Sequence, residues 1–205
     1  MAQRTYPRPD RIHAQVTGEV LHKHAALTGQ PITLPVPIEA IIEQTYGLNI
    51  LHDEIEEPPG SMILGALSPA NRTIVMNVRH EDLFLSVVGP ERFTYAHELA
   101  HWIYDADDPG QMALDLGAGP PAEQFCYHRE SPGLAEDLRI REVNANKFAS
   151  HLLLPEALVR AADLAAVLRD IRGTARRWGV SKQCLRIRLE GLDLLSNEER
   201  IDLMW

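Results

Sequence analysis

Cysteine is nearly absent: Cys126 and Cys184 are the only two in 205 residues, and they form no Cys-x-x-Cys pair. That excludes a disulfide framework and a cysteine-rich structural zinc site, and two isolated thiols fit a reducing compartment. The first residues carry no apolar stretch ending in a small-residue cleavage site, and no later apolar run approaches the length that spans a bilayer. The expected location is therefore cytoplasmic, with no membrane partner. Positive charge is also scarce, 20 Lys plus Arg against 29 Asp plus Glu for a net charge of -9, which argues against the whole molecule binding a polyanion. Neither a fixed-period repeat nor a low-complexity tract occurs, so solenoid and fibrous architectures drop out.

What remains is a chain with 45% hydrophobic residues, enough for one substantial core. Ile12, Val16, Val20 and Leu27 recur at helical spacing and predict a helix from Asp10, as N-cap, to about Thr28. Ile38 to Tyr46 reads as a short helix stopped by Gly47. Three β-rich runs follow, Leu48–Leu51, Met62–Leu67 and Thr73–Val78, separated by turn sequences, and suggest a small antiparallel sheet. Pro90 suits the first turn of a helix over Glu91 to Tyr104. From Asp105 to Leu134 the chain is rich in Gly, Pro and Asp without periodicity, the pattern of a lid or binding loop. Helices are predicted again over Ala135–Leu154, Glu156–Ala162 and Leu164–Trp178. Gly179 then acts as a stop and Ser181 as the cap of a further helix, which makes a helix-turn-helix-like segment. The fold class expected is α+β, helix-dominated. It is one domain over 1–205, with a catalytic core over 10–158 and a helical part over 159–205.

His97-Glu98-Leu99-Ala100-His101 is an H-E-x-x-H motif on the helix after Pro90. Residues four apart lie about 40° from each other around a helix, so both imidazoles project from one face and can share a cation at about 2.0–2.1 Å. Glu98 flanks that face, where it can take the proton of a water that zinc makes acidic. Ala96, Leu99 and Ile103 give the same helix an apolar side for the core.

A zinc enzyme of this type needs a third protein ligand. Downstream candidates are Glu123, Glu130, Glu136, Asp137, Glu142 and His151. Among them Glu142 shares a helical face with Asn146, Ala149 and Leu153, and the small Ala145 and Ala149 would let that helix approach the first closely. Asn146, one turn on, is then placed to orient a ligand.

The two segments Arg92-Phe93-Thr94-Tyr95-Ala96-His97-Glu98-Leu99-Ala100-His101 and Glu142-Val143-Asn144-Ala145-Asn146-Lys147-Phe148-Ala149-Ser150-His151-Leu152-Leu153-Leu154-Pro155 resemble the hallmarks of the ImmA/IrrE-like bacterial metallopeptidases. The resemblance implies a zincin-like core, zinc held by His97, His101 and Glu142, and Glu98 as the catalytic residue. It also implies a substrate: a DNA-binding, helix-turn-helix repressor that is cleaved or switched off. A non-enzymatic regulator that binds such a repressor stoichiometrically is the alternative. Three departures stand out, namely Ala100 for the usual Gly, Asp105 where a His is common, and the long connection from Asp105 to Leu134.

Between Arg160 and Glu190 eight Lys or Arg face three acids, a local balance of +5. Lys182, Arg186 and Arg188 lie on the second helix of the helix-turn-helix-like segment, the one that enters the major groove in DNA readers, so nucleic acid is a secondary candidate partner. His13, His22, His24, His52 and His80 have no ligand spacing and read as surface or satisfied core residues. Tyr127 and His128, beside Cys126 in the expected lid, are candidates for stabilising an oxyanion.

Overall fold

The computed structural model describes residues 7–105, 112–115 and 136–202. Helix α1 runs over Asp10–Thr28 and ends on Gly29, whose positive φ of 68° lets its N–H close back on Ala25 O. Asp10 is not the N-cap: Pro9 holds that place without a side-chain bond, and the Asp10 carboxylate is drawn instead to Lys147 Nζ at 2.8 Å. The segment expected to be a short helix starts as α2, Ile38–Ala40, and widens into one π turn over Ile41–Thr45. Ile38, Ile41 and Ile42 on it are fully buried.

Strands β1 Asn49–Asp53, β2 Ile63–Ser68, β3 Thr73–Asn77 and β4 Met112–Asp115 form a sheet of order β1-β3-β2-β4. The expected antiparallel pattern holds for β2 with β3, whereas β1 lies parallel to β3; β4, outside the three expected runs, pairs antiparallel with β2. The sheet is therefore mixed. The tight turn over 69–72 forces a hairpin between β2 and β3. The longer 54–62 connection carries the chain past that hairpin, so β1 pairs with β3 and not with its sequence neighbour. β4 falls inside the stretch expected to be an aperiodic lid; the rest of that stretch, including Glu123, Cys126, Tyr127, His128 and Glu130, lies outside the described residues.

After a short helix α3, Glu81–Ser86, helix α4 runs over Pro90–Asp105, and α5 over Glu136–Leu153 packs along it. Ala145 and Ala149 of α5 are buried, as are Ala96, Leu99 and Ala100 of α4. The other side of α4 rests on β2 at Gly65, where an added Cβ would meet Thr94 Cγ2 at 2.6 Å and Val75 O at 3.2 Å. Gly65→Ala is therefore expected to cost about 1–3 kcal/mol by overpacking between strand and helix, read as a lowered midpoint of thermal or urea unfolding.

α6 Glu156–Ala161 follows Pro155. The long helix expected over Leu164–Trp178 is two, α7 Leu164–Arg169 and α8 Ile171–Arg177. Asp170 breaks it: its carboxylate accepts from Gly173 N at 2.9 Å and so caps α8 when it could have continued α7. Ser181 caps α9, Lys182–Gly191, by accepting from Cys184 N at 3.0 Å, and α10 Asn197–Asp202 follows. A single buried cluster runs from Val20 through Met76, Leu99 and Phe148 to Leu195. No helix among the described residues is long and apolar enough to cross a membrane.

Candidate metal centre

The α4–α5 contact brings three donors together. His97 and His101, one turn apart on α4, are 0% and 1% exposed, and their Nε2 atoms stand 3.0 Å apart. Glu142 of α5 reaches both: Oε2 lies 3.1 Å from His97 Nε2 and Oε1 lies 3.3 Å from His101 Nε2. Burial alone would raise the Glu142 carboxyl, but the facing His97 and His101 outweigh it and hold the group far below the usual carboxylate range. Around a cation bound tetrahedrally at about 2.0–2.1 Å, neighbouring donor atoms stand ~3.3 Å apart, so this triangle fits one ion without rearrangement. Among the described residues, these three are the group that could hold a metal.

Asn146 supplies the tautomer. Its Oδ1 lies 2.9 Å from His97 Nδ1 and, as an acceptor, fixes the proton there, which leaves the Nε2 lone pair directed at the cluster. Glu136, weighed as a ligand from sequence, is exposed and paired with Arg139 at 3.1 Å. His151 is turned to the other side of α5, where its Nε2 lies 3.1 Å from Arg188 Nη1.

Glu98 is fully buried, and neither carboxylate oxygen has a hydrogen-bond partner among the described residues. Burial pushes its carboxyl up to about 7, the His101 and His97 imidazoles pulling it back only in part and the Glu142 charge adding to the rise; a weak pull from the Leu67 backbone amide falls short of a hydrogen bond. A buried carboxylate without donors is costly to maintain in a folded protein. Its place beside two imidazoles and a second carboxylate is chemically that of a group meant to meet water or substrate.

The base of α4 is pinned from two sides. Arg92 donates to Val36 O and pairs with Glu39 at 3.3 Å. An added Cβ on Gly179 would meet Arg92 Nε at 2.6 Å, and one on Gly89, whose φ is 115°, would meet Ser181 N at 2.5 Å. The turn between α8 and α9 is thus packed onto the start of the helix that carries His97 and His101. Sequence reading took Arg92 only as part of a motif; nothing in its spacing announces this bracing role.

That packing also changes the nucleic-acid reading. Arg188 is 5% exposed and its Nε donates to Leu154 O at 3.0 Å, so it is not available to a groove; Arg186 is held by Glu190 at 2.6 Å. The helix puts Cys184, Leu185 and Leu189 into the core, and a basic residue four positions after Cys184 follows them inward.

The model of the family described as the IrrE N-terminal-like domain, peptidase family M78, matches residues 67–190, more than half of the chain and all of the cluster above. The chain belongs to this family. No curated protein matches it. Among solved structures it is similar to a Mycobacterium tuberculosis transcriptional regulator, at 17% identity and a TM-score of 0.46, over 93% of this chain and 48% of that one. The chain thus spans about half the length of that regulator, and the likeness is too slight for inference.

Of the other histidines among the described residues of this M78-family chain, His22 and His52 are exposed, whereas His24 Nδ1 meets Thr45 Oγ1 at 2.8 Å and His80 Nε2 meets Glu57 Oε1 at 2.6 Å. His13 and His151 stand ring to ring at 5.8 Å, and both are held down at about 4: His13 first by burial and then by Lys147, with the Arg8 backbone and Asp10 opposing, and His151 first by burial and then by Arg188, with Asp10 opposing. Tyr104, whose hydroxyl lies 2.9 Å from His13 Nδ1, completes the surroundings. An unfolded histidine takes its proton near 6.5, so these two contribute full stability above that pH and lose it as pH falls toward 4. Stability of the metal-free chain is expected to decline across this window, and His13→Gln to flatten the slope of unfolding midpoint against pH there.

Proposed function

We propose that this chain is a zinc-dependent endopeptidase that hydrolyses a peptide bond in a partner protein, with His97, His101 and Glu142 holding the ion and Glu98 as general base. Glu98 carries the reading: a buried carboxylate, without donors of its own, beside a three-donor cluster that fits one cation. Zinc suits two imidazoles and a carboxylate, and when bound supplies Lewis acidity toward water and toward the scissile carbonyl oxygen. Glu98 takes a proton from the attacking water on a carboxylate oxygen and returns it to the departing amide nitrogen, so one side chain serves as base and then acid. Glu142 and the imidazoles stay fixed through both steps, His97 being held in its tautomer by Asn146. The desolvated surroundings of Glu98 strengthen each of these interactions.

The partner we propose is a helix-turn-helix repressor, on the strength of the two long motif segments. The test incubates the zinc-loaded chain with a candidate helix-turn-helix repressor from the same organism and follows the mixture by mass spectrometry. Discrete fragments at sub-stoichiometric enzyme are expected. A stable complex with intact repressor would instead make the chain a non-enzymatic regulator. The residues Lys182 and Arg186 are placed outside the chemistry, so changing both to Ala is expected to leave cleavage of a short peptide unaltered.

A further inference from the structure

Beside the metal cluster, a cleft of about 120 Å³ lies among α1, α4, α5 and α9, with Phe93 of α4 and Asn146, the partner of His97, at one end of its lining. Asp10, Lys147, Ser150, His151 and Arg188 line it. Their hydrogen bonds do not balance. Arg188 is almost wholly buried, yet no carboxylate stands within ion-pair distance among the described residues; it donates from Nε to Leu154 O at 3.0 Å and from Nη1 to His151 Nε2 at 3.1 Å. By accepting there, the His151 ring must carry its proton on Nδ1, and that N–H is buried without a partner. His151 itself is 7% exposed. Lys147 Nζ gives one bond, 2.8 Å to Asp10 Oδ1, and has two donors left.

The cleft therefore holds two cations against one carboxylate, and one buried N–H donor, His151 Nδ1–H, with no acceptor among the described residues. From this we infer that it is an anion-binding site, built for the carboxylate or phosphate group of a small molecule or peptide. An anion would neutralise the surplus charge and accept from His151 Nδ1–H, Arg188 and Lys147 together, with the Ser150 hydroxyl beside them; charge-assisted bonds of this kind are the strong ones. The low proton affinity of His151, due after burial to the Arg188 charge, reports the same positive field. None of the proposed donors is a ligand of the metal cluster, although Asn146, which holds His97, lines one end of the same cleft.

The test titrates the full chain with inorganic phosphate and, separately, with acetate, at ionic strength held constant with chloride, following the His151 and Arg188 side-chain NMR signals. Saturable one-site shifts are expected, weakened by about tenfold or more in Arg188→Gln. If that variant does not fold, Lys147→Gln, at a half-exposed position, is expected to weaken binding several-fold with the fold intact. Saturation by phosphate alone assigns a phosphoryl ligand, and saturation by acetate, alone or together with phosphate, a carboxylate. Shifts that rise without saturation and are the same in Lys147→Gln overturn the proposal.

Discussion

Glu142→Ala is expected to lower zinc affinity by at least about 10- to 100-fold, in a competition titration against a chromophoric chelator. Two imidazoles from one helix form half a site, and the third donor has to come from another element. Glu142 brings it across the α4–α5 contact, with one oxygen directed to each imidazole at 3.1 and 3.3 Å. Asn146→Ala is expected to act more mildly, because it frees the His97 ring to rotate or change tautomer while leaving all three donors in place. His151→Ala is the control. It sits on the far side of the same helix, bound to Arg188, so its loss should lower stability by about 1–3 kcal/mol through the unpaired buried cation, with zinc stoichiometry unchanged. Zinc lost in His151→Ala or Glu136→Ala but kept in Glu142→Ala would mean that the third ligand is wrongly assigned.

The contrast between Glu142 and Arg188 shows what a sequence of this kind discloses. The spacing of His97 and His101 places both on one side of a helix whatever surrounds it, because four residues are close to one full turn. The run Glu142, Asn146, Ala149 does the same for α5, and its alanines mark the side that can approach another helix. The two faces meet, and the cluster follows. Arg188 obeys the same periodicity as Cys184, Leu185 and Leu189, so the signal that it points inward was present; it was overridden by the expectation that a basic residue on such a helix faces solvent. Charge is a weaker guide than phase on a helix that the fold has already buried.

Other differences come from competition between local and distant partners. Asp170 can cap the helix that follows only by ending the one before, and its sequence neighbours do not say which wins until Gly173 is in position. The parallel pairing of β1 with β3 depends on which strand the hairpin leaves open, a tertiary fact. Likewise the bracing of α4 by Arg92 and by the turn at Gly179 joins residues far apart in the chain, and no short-range pattern carries it.

Glu98→Gln is expected to abolish peptide hydrolysis while leaving zinc binding and fold in place, the measured rate falling by a factor of at least about 10²–10⁴, the usual span of general base catalysis. The amide is nearly the same shape as the carboxylate and fits the same fully buried space, so no cavity opens. What it loses is the ability to take a proton: the amide oxygen is a hydrogen-bond acceptor but too weak a base to remove one from water. The three-donor cluster does not include Glu98, which keeps metal content near one per chain in the variant. Because the wild-type carboxylate stands buried without donors, replacing it with a neutral group should not lower the unfolding midpoint of the metal-free protein. Hydrolysis at the wild-type rate with full zinc content would remove Glu98 from the chemistry, whereas a lost rate accompanied by lost metal or a lowered midpoint would mean that the variant had damaged the site and left the base untested; circular dichroism and metal analysis on the same preparation separate these outcomes.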